Sequence, residues 1–164
     1  MAFSSTSSVL QTGIVGQLAY SVDNNLVVES FALISATDIP PGRGVVYDAG
    51  NSSATVNACA LPAGAVTNYL GVAYDDGNLP VEEAGYDAAT YNRVPVITRG
   101  AVWVLTSEAV DPTDSVFLQH TDGGPGKPVG SFRTDNDGGN AGQIGGRWAG
   151  VYTSGEAALI LNQP

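Results

Sequence analysis

The chain is short of charge, and shortest of positive charge. Only 13% of its 164 residues are Asp, Glu, Lys or Arg, about half the share of an average domain. Six cations (five arginines and Lys127) face 16 acids, for a formal net charge of −10 and a pI near 4.1. Nucleic acid is recognised through a basic footprint, so this surface would be repelled by phosphate. An anionic membrane surface is disfavoured for the same reason. A single cysteine, Cys59, excludes an internal disulfide and any cysteine-built zinc site. In the context Asn-Ala-Cys-Ala-Leu it reads as a small buried residue. A single histidine, His120, leaves a histidine-based metal site without its second ligand. No apolar run approaches the roughly 18 residues of a membrane span. The N-terminus, MAFSSTSSVLQTGIVGQLAY, has neither a basic region nor an unbroken apolar stretch, so it does not read as a secretory signal. These features together imply synthesis in the cytoplasm without a need for oxidising conditions.

What is abundant is apolar residues, at 43%, and turn formers, with 21 glycines and 9 prolines. The glycines and prolines are scattered between short apolar runs, as expected of many strands joined by tight turns. Leu26–Ile34 is rich in β-branched residues and stops at Asp38-Ile39-Pro40-Pro41-Gly42. Gly44–Gly50 holds a short strand, and Thr55–Leu61 another. Asn68–Gly77 alternates with period two and ends on Asp76-Gly77. Arg93–Leu105 reads as a hairpin, two apolar runs flanking Thr98-Arg99-Gly100. Strands follow at Ser115–His120, Arg147–Tyr152 and Glu156–Asn162, with Asp135–Gly146 as a polar loop. Residues 78–92 suit a loop or one helical turn. No segment carries a helical stripe. The expected fold is all-β: a β-sandwich or jelly-roll-like barrel of about eight to ten short strands. Residues 1–25, Ser-rich and almost uncharged, read as an extended N-terminal arm that can lie on a neighbour, with a strand near Ile14–Leu18; residues 26–164 form the single β-domain.

No constellation carries catalysis. A Ser-His-Asp triad would have to use His120, and the G-x-S-x-G elbow is absent. The carboxylate pairs Asp75-Asp76 and Glu82-Glu83 are adjacent in sequence, so on a strand their side chains diverge rather than converge. Asp135 and Asp137 fall at positions 1 and 3 of a calcium loop. The pattern then fails, because Gly139, Asn140 and Gly146 occupy later ligand and turn positions. In GGPGKPVG, Pro128 stands where a phosphate-binding loop needs Ser or Thr after its Lys. We therefore expect no enzyme activity, no cofactor and no metal. Trp103 sits in a continuous apolar strand and reads as core; Trp148, in GGRWAG, reads as a contact residue.

Three stretches, YLGVAYDDG, NRVPVITRGAVWVL and VGSFRTDNDGGNAGQIGGRWAGVYTSGEAALILN, together resemble the bacteriophage structural cement, or capsid decoration, proteins. The resemblance runs from Asn68 to Asn162 and rests on cadence: an acidic-Gly turn, apolar strands around Arg-Gly, then a glycine-rich approach to a final apolar strand. It implies a virion protein on the outer surface of the mature head. Its partner would be the major capsid protein, whose subunit contacts it would stabilise, and it would itself be a homo-oligomer, a dimer or trimer. No site residue transfers by motif. From the residues themselves, Arg99, Arg147 and Trp148, with Ile14 and Val15 of the arm, are the expected partner contacts. The alternative is a carbohydrate- or receptor-binding β-sandwich module of a virion, stacking sugars on Trp148 or the tyrosines.

Overall fold

The computed structural model describes residues 13–19, 26–77, 79 and 85–162. Their secondary structure is ten strands and one turn of 3₁₀ helix. Five strands close on themselves. β1 (Val27–Leu33) runs parallel to β3 (Ala58–Ala60); β3 pairs antiparallel with β2 (Gly44–Tyr47), β2 with β4 (Tyr69–Ala73), β4 with β5 (Arg93–Thr106), and β5 returns to β1. Closure removes most of the open sheet edges. The barrel interior is filled by alternate residues: Phe31 and Leu33 from β1, Val45 from β2, Cys59 from β3, Ala73 from β4, Val94 and Val96 from β5. Ile39 and Tyr86 join this core, bridged to each other through their backbones. Cys59 is fully buried, and that burial, followed by the charge of Asp48, pushes its thiol up to about 12.

β5 is the spine of the molecule. Arg93–Leu105 is not the hairpin its Thr-Arg-Gly sequence suggests; Arg93–Thr106 is one strand of 14 residues. Its two halves belong to different layers. The first half sits between β1 and β4 in the barrel; the second pairs along its length with β10 (Gly155–Asn162). The change of partner falls at the supposed turn, where the register against β1 slips and Gly100 takes φ +125°. A glycine there lets the strand bend without ending.

Around the second half lies a second core, built from Val102, Val104, Leu118, Phe132, Trp148, Leu159 and Leu161 among others. It is covered by β6 (Val116–Gln119), β7 (Phe132–Arg133), β8 (Ala141–Ile144) and β9 (Arg147–Trp148). β8 lies inside the segment expected to be a polar loop: Ala141 to Ile144 pair residue by residue with β6. Between β7 and β8 stands the 3₁₀ turn Asp137–Gly139. The all-β barrel-and-layer architecture is the one the strand pattern called for.

Residues 13–19 dock on their own chain. Leu18 bridges Val102, Gly16 N–H donates to Trp103 O (2.7 Å), Trp103 N–H donates to Gln17 O (2.9 Å), and Ala19 N–H donates to Ala101 O (3.0 Å). The approach is close enough to demand glycine at two facing positions. Gly16 has φ +89° and Gly42 φ +76°; a Cβ on the first would overlap Pro41 Cβ, and on the second Val15 Cγ1. The rest of the expected arm, residues 1–12 and 20–25, lies outside the described residues, as does the Glu82-Glu83 pair.

Candidate functional site

Among the described residues, the candidate chemistry-bearing side chains are dispersed or already engaged. His120 is buried at the end of β6, its Nδ1 3.0 Å from Thr121 Oγ1. Asp75 caps its own turn by accepting from Gly77 N–H. Among the described residues no three His, Cys, Asp or Glu side chains gather as metal ligands. A groove of about 700 Å³ between Leu105–Ser107, the Gly-Pro loop and Ser154 has Asp122 as its one acidic lining residue. It offers no nucleophile–base pair.

The Asp135–Asn140 loop is organised by cations of this chain. Arg133, on β7, is almost fully buried and donates through Nε (2.9 Å) and Nη2 (2.6 Å) to Asp135 Oδ1. Its Nη2 also lies 3.5 Å from Asp137 and 3.6 Å from Glu108. Lys127 Nζ donates to Asp137 Oδ1 at 2.8 Å, and Gln119 Nε2 to Asp137 Oδ2 at 3.1 Å. These bonds, Lys127 first and Gln119 second, hold the Asp137 carboxyl down at about 2; the Arg133 guanidinium holds Asp135 below its ordinary value. Glu108 in turn accepts from Thr134 N–H (2.6 Å) and Thr134 Oγ1 (3.0 Å). The effect is to tie a glycine-rich loop to the second core.

The expected contact residues separate into two kinds. Arg99 and Arg147 are exposed and make no ion pair or side-chain hydrogen bond among the described residues. The other four cations are engaged: Arg43 with Val129 O, Arg93 with Ser30, Arg133 and Lys127 as above. The register brings the two free arginines together. Arg147 is opposite Ile160, which is opposite Ala101, while Arg99 is opposite Asn162. They share one face of the β9–β10–β5 sheet with Cα atoms roughly 12 Å apart, two strand spacings across and two residues along. Trp148 is different. It is fully buried in the second core, opposite Leu159, so its ring has no surface to offer a partner. The period of two puts it on the inner face because its neighbour Arg147 takes the outer one. Ile14 is 62% exposed, whereas Val15 is half-buried against Gly42. The sequence reading missed a further surface: Leu26, Val27 and Val28, all exposed at the start of β1.

Comparison with known proteins bears on what this surface serves. A family model described as structural cement protein (E217 gp24/Pam3 gp6) matches residues 3–162, nearly the whole chain. The chain belongs to the phage structural cement family. A chain in a solved structure titled "The capsid of Myoviridae Phage XM1" shares the fold, with a TM-score of 0.72 at 18% identity over 99% of both chains. A search of curated proteins finds no match. Members of the cement family are structural components of the phage particle, so this chain is a capsid-associated virion protein with a cement role.

Proposed function

We propose that this cement protein binds the outer surface of the mature head and stabilises contacts between major capsid protein subunits, acting as a homo-oligomer. The observation that carries the reading is the family match over residues 3–162 of a chain whose described residues form a closed five-strand barrel braced by further strands. A clamp works by binding the assembled state better than its parts, which stabilises that state by mass action. It gains from rigidity, because little ordering is left to be done on binding. The net charge of −10 favours the outside of the shell over a face turned to packaged DNA. Within that acidic surface, Arg99 and Arg147 supply two guanidinium groups uncommitted among the described residues, and Ile14 an exposed apolar contact in the docked segment 13–19. The sugar-binding alternative loses its leading platform, since both tryptophans are buried.

The test is co-sedimentation of the purified protein with expanded, undecorated heads of the cognate phage. The expected result is saturable binding at fixed stoichiometry, weakened by Arg147→Ala and by deletion of residues 2–12. Absence of saturable binding to cognate heads would overturn the proposal.

A further inference from the structure

Seven large apolar residues are exposed among those described, and five of them lie on or beside one strand: Leu26, Val27 and Val28 at the start of β1, Ile34 just past its end, and Val56 beside it. Val56 is placed there by its neighbour, since Asn57 O accepts from Ala32 N–H. The same strand has an open edge. β1 pairs with β5 throughout, but with β3 only at Ala32 and Leu33. Between Val27 and Ser30 its other side meets no strand among the described residues. Ala32 N–H points to that side, so by alternation Ser30 and Val28 turn their N–H groups outward as well. Edges of this kind are usually blunted by Lys, Pro or a bulge in the edge strand itself. Here β1 has no Lys or Pro, and the extra residue at the register shift, Thr98, belongs to β5.

We infer that this half of β1 pairs antiparallel with the same strand of a second copy of the chain, across a two-fold axis near Val28. An edge that meets its own copy must be self-complementary, and this one is. The register with Val28 on the axis lets the two Val28 residues exchange N–H and C=O groups, with Ser30 facing Leu26 of the second copy on either side. It sets Glu29 of the second copy beside Val27, whose other neighbour is Arg99. A glutamate and an arginine can meet over the small valine between them. The adjacent register, with Glu29 on the axis, sets the two carboxylates side by side, which is unfavourable. The surroundings also suit a meeting of two acidic molecules. Arg99 and Arg93 flank β1 on β5, opposite Val27 and Ala32, and Glu29 is the one acid on the strand. The inference gives a surface and a symmetry to the proposed homo-oligomer and does not depend on attachment to the shell.

The experiment is sedimentation equilibrium of the full chain in the absence of heads. The wild-type protein is expected at twice 16.7 kDa in the micromolar range. Val28→Pro removes an outward N–H at a position where an edge strand tolerates proline, and should give the single-chain mass with unchanged circular dichroism. Glu29→Arg and Arg99→Glu should each weaken association by about tenfold. Combining them should restore most of it, a recovery that a folding defect could not produce. A wild-type protein that stays monomeric overturns the inference and leaves the edge to residues 1–12 or to a shell segment. So does a dimer indifferent to Val28→Pro and to both charge changes. Shell binding is read separately on heads, so loss of one conclusion does not remove the other.

Discussion

The two halves of β5 meet their surroundings differently. Beside the second half, β10 lies on one edge and residues 16–19 bond to Ala101 and Trp103 on the other. Beside the first half, β4 and β1 complete the barrel, but among the described residues no strand meets the other side of Val27–Ser30 in β1. The chain thus covers one exposed backbone with residues 16–19 and, among the described residues, leaves another uncovered, with apolar side chains around it. The difference teaches that apolar residues of similar type have two destinations here. Those around β10 hold the molecule together; those at the start of β1 stand exposed among the described residues.

The largest test of that contrast is in the second core. Trp148→Ala should cost about 3–5 kcal/mol of stability in urea unfolding, because a fully buried indole is lost. Trp148→Phe should cost far less, since Trp148 Nε1 has no hydrogen-bond partner among the described residues to lose. Val28→Ala, at 42% exposure, should stay within about 0.5 kcal/mol for the isolated chain. A cost for Val28→Ala comparable to that of Trp148→Ala would erase the distinction between core and open edge.

A smaller effect is expected where the N-terminal segment docks. Gly42→Val would collide with Val15 and force a side chain into φ +76°, for about 1–3 kcal/mol. Amide exchange gives the sharper readout. The Trp103 N–H, which donates to Gln17 O, should lose protection, while amides of β10 keep theirs. Uniform loss along β5 would mean that residues 13–19 are integral to the second core, not a cover laid on its edge.

The smallest effect concerns the loop network. Asp135 and Asp137 are held below their ordinary values, Asp137 at about 2. Their contribution to stability is therefore complete above the unfolded carboxylate range, near pH 4, and is lost as pH falls toward 2. Melting temperature should drop across that window, and Asp137→Asn should flatten part of the drop. Equal acid sensitivity in the variant would show that the Lys127–Asp137 pair, partly solvent-exposed, contributes nothing measurable.

Much of the barrel was legible because its strands are short, largely apolar runs bounded by turn residues, and Cys59 reads correctly as interior. Thr98-Arg99-Gly100 misled because a glycine after two polar residues is also what a turn needs; only the pairing shows it serving as a bend within β5. β8 was hidden because Ala-Gly-Gln-Ile has little β propensity of its own and is held by β6. Trp148 was misread because its flanking Gly and Arg suggest surface, while a strand of two residues is too short to reveal its inner face. The open edge of β1 was invisible for a related reason: Leu-Val-Val looks like core in sequence, and exposure is decided by where β3 stops. Arg99 and Arg147 could be named singly, but their common face depends on a register that no local pattern encodes.

The central claim is a clamp on the outside of the head, and imaging of decorated cognate heads by cryo-electron microscopy tests it most directly. The account predicts density for this chain on the outer surface, bridging adjacent capsid subunits, with the Arg99–Arg147 face or residues 1–14 turned toward the shell. Density inside the shell, or seated on single subunits without touching a neighbour, would contradict it.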